Sequence, residues 1–174
     1  MTAPRKLAHV VFRTNQLERM IDWYCSVLDA HRVFTDPAYA FITYDDEHHR
    51  VAFVAAEPYA EKSGRPQVGF YHVAFTYGNL GELLGTYERL RDQGIRPWRP
   101  ILHGPTASFY YKDPDNNDVE LQVDVYPDAA SATRMMQGEA FASDPVGKVF
   151  DPEEMISRRR AGVPDFELMR RPDA

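Results

Sequence analysis

Apolar residues recur along this chain at two spacings, and each spacing predicts an element. Strict alternation runs through GFYHVAF (69–75). Phe70, His72 and Ala74 share one face there and Tyr71, Val73 and Phe75 the other, so the stretch reads as a strand. A helical spacing appears at Leu17, Met20, Ile21, Tyr24 and Val27, and again at Leu80, Leu83, Leu84, Tyr87 and Leu90, which predicts two amphipathic helices. The second helix stops at DQGI, where Gly94 tolerates the left-handed conformation that ends helices. AFITYDDEHHRVAF (40–53) and SFYYKDPDNNDVEL (108–121) each read strand, turn, strand, and the second turn is rich in Pro, Asn and Asp.

These patterns are two copies of one unit. With His9 laid over His72, an offset of 63, LAHVVFRT (7–14) falls on FYHVAFTY (70–77) and the two helical sets coincide. At an offset of 68 the match resumes, with Phe41 on Phe109, Asp45 on Asp113 and Val51 on Val119. The step between the offsets puts a loop about five residues longer in the second copy. The expected fold class is therefore α+β: two βαβββ modules pairing into one curved, mostly antiparallel sheet cleft, with an irregular and helical C-terminal tail. Residues 1–126 form the paired domain, with module one at about 5–57 and module two at about 67–126, joined by the polar stretch 55–68. The tail, 127–174, lies outside the repeat and carries helical pieces in ASATRMMQGEAFA and PEEMISRRRAG.

Composition narrows the classes. The chain has 174 residues, 44% hydrophobic and 26% charged, which suits an ordinary globular protein of one domain or two small modules. A net charge of −6 argues against nucleic-acid and anionic-membrane partners, so Arg158–Arg160 reads as a solvated helix end rather than an anion site. No run approaches the roughly 18 apolar residues of a membrane span, and the N-terminal stretch lacks the core and cleavage site of a signal peptide. Cys25 is the only cysteine, which fits a reducing cytoplasm. No GxxxxGK[ST], GxGxxG or CxxC occurs, so nucleotide binding has little support. A module pair with a long tail is compatible with a homo-oligomer.

Three residues then stand out. Alone, His72 reads most simply as a core histidine satisfied by one hydrogen bond, but His9 occupies the same place in the other copy. On the last strand of module two, Asp118, Glu120, Gln122 and Asp124 share the face opposite Val119, Leu121, Val123 and Val125. The helices must cover the apolar face, which leaves Glu120 open to a ligand or solvent. Pairing the modules about a pseudo-twofold axis would bring His9, His72 and Glu120 together. Two imidazoles and one carboxylate form the facial triad that suits non-haem Fe(II) and leaves positions open, whereas a closed structural site takes more ligands. The residue matching Glu120 in copy one is Ala52, so a symmetric fourth ligand is missing; Glu57, the next glutamate, would point to the other face.

With these modules and ligands, the chain resembles the vicinal oxygen chelate superfamily (glyoxalase, bleomycin resistance protein, dioxygenase). Within it the resemblance is to single-domain type I extradiol catechol dioxygenases of the 2,3-dihydroxybiphenyl 1,2-dioxygenase kind, carried by YHVAF, SFYYKDPDNNDVEL and HHRVAF over about residues 5–126. The resemblance implies His9, His72 and Glu120 as ligands of Fe(II), with Mn(II) as the alternative, O2 as co-substrate and a small aromatic diol as substrate. It further implies His49 as acid–base residue, and Tyr110 and His103 as hydrogen-bonding partners of a substrate hydroxyl. The chain departs from the family in lacking the additional N-terminal module pair of larger relatives. His49 also stands 23 residues before His72, and the spacing from His103 to Tyr110 is inexact. The blander roles are an exposed turn for His49, core packing for Tyr110 and a solvent loop for His103. Rival functions are a glyoxalase- or epimerase-type metal enzyme, which Ala52 disfavours, and a resistance-type binding protein, which would not need all three ligands.

Overall fold

The computed structural model describes residues 2–62 and 68–172; residues 63–67, which include the first residue expected of module two, lie outside the described residues. The chain divides into two compact units, Met1–Phe70 with Asp113–Asn117, and Tyr71–Lys112 with Asp118–Ala174.

Unit one contains β1 (Val10–Arg13), α1 (Leu17–Leu28), β2 (His31–Thr35), β3 (Tyr39–Thr43) and β4 (Val51–Val54). Its sheet runs β1-β4-β3-β2, with β1 and β4 parallel and the other pairs antiparallel. Unit two repeats the order with β5 (His72–Tyr77), α2 (Leu80–Asp92), β6 (Arg99–Leu102), β7 (Thr106–Lys112) and β8 (Asp118–Asp124). Its sheet runs β5-β8-β7-β6 and gains an edge strand, β9 (Lys148–Val149), from the tail. The expected α+β class and both βαβββ modules are thus present.

The helical spacing sets the packing in each unit. Met20, Ile21, Tyr24 and Val27 are buried on α1, where the Tyr24 ring lies 5.3 Å from those of Phe12 and Phe53. Leu80, Leu83, Leu84, Tyr87 and Leu90 are buried on α2, where Tyr87 stacks on Phe109 at 5.2 Å. Each such side chain contributes about 1.5–3 kcal/mol by leaving water. The entries to the helices differ. Asn79 caps α2 by accepting from the Glu82 backbone N–H, while the Glu82 carboxylate accepts from that of Gly78. α1 has no such side-chain cap at Gln16.

Strand register tests the duplication. Val11 pairs with Ala52 and Ala74 pairs with Glu120, which reproduces both offsets at the parallel strand pairs. The hairpins depart from it. Phe41 lies opposite Ala52, but Tyr110, not Phe109, lies opposite Glu120. The connection between β3 and β4 spans 44–50 and that between β7 and β8 only 113–117, so the third strands are displaced by one residue. The strand expected at 69–75 also begins later, at His72, because Gly69 adopts φ +147° and Phe70 and Tyr71 are exposed.

The shorter connection is knotted around Asp113. Its carboxylate accepts from the backbone N–H of Asp115 and Asn117, from Asn117 Nδ2 and from the Tyr24 hydroxyl, at 2.6–3.1 Å. The tail supplies α3 (Ala129–Met136), α4 (Glu139–Ser143), α5 (Pro152–Arg160) and α6 (Asp165–Met169). Gly138 separates the first two, and Met155, Ile156, Leu168 and Met169 are buried. Arg159 and Arg160 pair with Asp165 and Glu88, as expected of a solvated helix end. Among the described residues no helix is long and apolar enough to cross a membrane.

Candidate active site

In unit two the parallel pairing of β5 with β8 sets His72 diagonally across from Glu120. Their side chains meet with Nε2 and Oε2 3.0 Å apart. Two donors bound side by side to one ion at ~2.1 Å each stand about 3 Å apart, so this pair has the spacing of adjacent ligands. Glu120 is only 4% exposed, and His72 Nδ1 is buried with no hydrogen-bond partner among the described residues. An imidazole and a carboxylate side by side fit two coordination positions of a divalent ion such as Fe(II). Among the described residues there is no group of three or more His, Cys, Asp or Glu side chains able to hold a metal.

The antiparallel partner of Glu120 is Tyr110 on β7, whose ring stands edge-on to His72 at 5.5 Å. The hydroxyl lies 3.0 Å from His103 Nε2. Burial, reinforced by the adjacent carboxylate, pushes the Tyr110 phenol well above its ordinary range. His103 follows the end of β6, with Nδ1 2.5 Å from the Val146 carbonyl and Nε2 4.0 Å from Glu120. Burial pulls its imidazole below the ordinary value.

His72, His103 and Tyr110 border a cavity of about 260 Å³, lined further by Tyr71, Trp98, Arg99 and Ile101 and by Pro145 and Val146 of the tail. The Trp98 indole donates to Asp118 at 3.0 Å and packs beneath the Lys112 ammonium, which fixes the plane of that part of the lining. An aromatic enclosure with a few converging polar groups suits a small planar ligand.

Unit one presents its own cluster. His9 lies just before β1, with its ring 4.3 Å from that of His49, and Phe41 stacks on the other side of His49 at 4.9 Å. His48 and His49 approach through their Nδ1 atoms at 2.6 Å. Burial, followed by the neighbouring His9 and His48, lowers the His49 imidazole. The structure therefore groups the expected site residues within units: His72, Glu120, Tyr110 and His103 in one, His9 and His49 in the other. Sequence reasoning missed Phe41, which the hairpin displacement concealed, and Val146, for which no motif exists. Trp98 was legible only as a bulky aromatic in PWRP ahead of the second strand of its module.

Residues 6–121 match the Glyoxalase/Bleomycin resistance protein/Dioxygenase superfamily, and the chain belongs to that family. Among individual proteins, it is 47% identical to biphenyl-2,3-diol 1,2-dioxygenase 2 of Rhodococcus globerulus, over 94% of this chain and 86% of that one. It is 45% identical to biphenyl-2,3-diol 1,2-dioxygenase 3 of the same organism, over 98% and 90%. The fold is also that of lactoylglutathione lyase from Agrobacterium tumefaciens, with a TM-score of 0.56 at 18% identity over 70% of this chain and 96% of the other.

Proposed function

We propose that the protein opens the ring of a small vicinal aromatic diol with O2, at Fe(II) held by His9, His72 and Glu120. One observation carries the reading: 45–47% identity, over nearly the whole chain, to two proteins named biphenyl-2,3-diol 1,2-dioxygenase. At that likeness the chain is a type I extradiol dioxygenase. Its own residues support the finer assignment, since His72 and Glu120 stand at the spacing of adjacent ligands beside an aromatic cavity. Unit two alone offers two such ligands, and His9, the repeat counterpart of His72, is the third.

When bound, Fe(II) supplies the redox coupling between diol and O2 and acidifies the diol hydroxyls. The protein's residues do the rest. Tyr71, Trp98 and Ile101 hold the planar ring and exclude water from it. Tyr110 takes a hydrogen bond from one diol hydroxyl, with His103 behind it. His49, whose Nδ1 is engaged with His48, moves a proton through Nε2 as general acid–base. A cytoplasmic setting fits the single cysteine.

The test is direct. Anaerobically purified protein loaded with Fe(II) is mixed with monocyclic and bicyclic catechols while O2 uptake and product absorbance are followed. One O2 consumed per yellow ring-opened product is expected; no uptake with any diol overturns the proposal. Metal analysis separates the glyoxalase-type rival, which would bind Zn, Ni or Co and consume no O2.

A further inference from the structure

Two groups in unit two share one hydrogen bond: the Tyr110 hydroxyl and His103 Nε2 stand 3.0 Å apart. Which of them donates depends on whether Nε2 is bare or carries its own hydrogen, and that is decided at the other end of the ring. Nδ1 faces the Val146 carbonyl, which can only accept. A neutral His103 held there carries its hydrogen on Nδ1 and leaves Nε2 bare.

The Val146 carbonyl is held in place by the tail. Asp144 closes the turn before β9 by accepting from the Gly147 N–H and from Lys148 Nζ. Gly147 has φ +100°, and a Cβ there would run into the Leu102 carbonyl, so only glycine lets the tail backbone approach the end of β6 this closely. Arg171, with no exposed surface, clasps both sides: one nitrogen donates to the Asp144 carbonyl at 2.7 Å and to the His103 carbonyl at 3.3 Å. Gly104, next to His103, has φ +110° and sits against Met135 and the Arg171 stem. A buried guanidinium far along the chain therefore spans the backbone of the site residue and the turn that faces it.

We infer that Arg171 is a positioning residue for the active site. Through the 144–147 turn it holds the Val146 carbonyl on His103 Nδ1, fixes Nε2 as acceptor, and so makes Tyr110 donate inward and present an oxygen lone pair to the diol. The last step rests on the function proposed above; the tautomer itself does not. The hydrogen-bond order runs from Tyr110 O–H to Nε2 and from Nδ1–H to Val146, and it reverses if the carbonyl is withdrawn.

The experiment is nitrogen-15 NMR of the histidine side chains in the full-length, metal-free protein, combined with kinetics of the Fe(II)-loaded enzyme. His103 is assigned from the His103→Gln spectrum. Wild type is expected to show one neutral tautomer, protonated on Nδ1. Arg171→Gln should add the Nε2-protonated form and lower kcat about ten-fold with KM held within about three-fold, and Arg171→Lys should restore both. If Arg171→Gln does not fold, Asp144→Ala, which opens the same turn and keeps the clasped carbonyl, is read in the same way. A wild-type His103 protonated on Nε2 overturns the inference. So does a folded Arg171→Gln or Asp144→Ala with unchanged tautomer and kcat. The expected tautomers without catechol turnover would instead refute the dioxygenase reading and leave this one standing.

Discussion

Where module two carries Glu120, module one carries Ala52, in matching register beside Ala74 and Val11 respectively. Both positions are almost fully buried, at 4% and 2% exposure. A carboxylate there is costly unless it is partnered, and module two places the His72 imidazole beside it at 3.0 Å, with Tyr110 on the neighbouring strand and His103 at 4.0 Å. Module one has a methyl group at that place and Phe41, not Tyr110, opposite it. Duplication has kept the sheet and released the open face, so one copy holds the acid while the other packs aromatic rings around His49.

The largest effect that bears on this contrast comes from removing the acid. Glu120→Ala should leave a folded protein that retains no stoichiometric iron after gel filtration and shows no O2 uptake with any catechol. The reverse change, Ala52→Glu, gains no ligand and buries an unpartnered carboxylate, at a cost of about 3 kcal/mol in chemical denaturation. Full iron occupancy in Glu120→Ala would remove the proposed ligand from the site.

His49 marks module one's share. His49→Phe keeps the ring stacking between His9 and Phe41 but cannot carry a proton. Iron content should stay at the wild-type level while kcat falls about 10²–10³-fold. Wild-type kcat in that variant would show that the acid–base group lies elsewhere.

The two hairpin turns offer a third contrast, in stability. Asp113 is buried and accepts four hydrogen bonds, whereas Asp45, its repeat counterpart, is largely solvated against Arg50. Asp113→Ala should cost about 3 kcal/mol and Asp45→Ala less than about 1 kcal/mol, read from denaturant midpoints. Their pH dependences have opposite signs. Arg50 holds the Asp45 carboxyl below its ordinary value, so its contribution is present above that value and is lost on acidification. Burial raises Asp113, so its ionisation weakens the fold as pH rises through its shifted value. Between about pH 7 and about pH 4, Asp45→Asn should flatten the acid loss of stability and Asp113→Asn should steepen it. Equal slopes would show that the two turns are equivalent after all.

Periodicity and repetition made the fold legible: the helical spacings picked out the buried faces of α1 and α2, and the offsets recovered the register of Ala52 and Glu120. The grouping of His72 with Glu120 followed from the same register, because side chains on one sheet face are bound to their strand positions. What escaped was set by irregular geometry. The one-residue displacement of β7 depends on turn length, which the Phe41–Phe109 match disguised. The Arg171 clasp joins residues 68 apart along the chain through backbone carbonyls, to which every residue type contributes equally, so no pattern marks it.

The smallest effect separates the modules at one buried atom. Tyr111 on β7 lies opposite Val119, and its counterpart opposite Val51 is Ile42, so the same core position is a phenol in one copy and an aliphatic side chain in the other. The Tyr111 hydroxyl is buried without a hydrogen-bond partner among the described residues, and burial raises its pKa. An unpartnered buried hydroxyl has lost its water and gained nothing in return, and the ring supplies the packing without it. Tyr111→Phe should therefore stabilise the protein by up to about 1 kcal/mol and raise Tm by about 2–4 °C, with kcat and KM unchanged. A loss of more than about 0.5 kcal/mol would mean that the hydroxyl finds a partner in solution, and that module two has extended its polar interior past the Glu120 face into the helix-covered core.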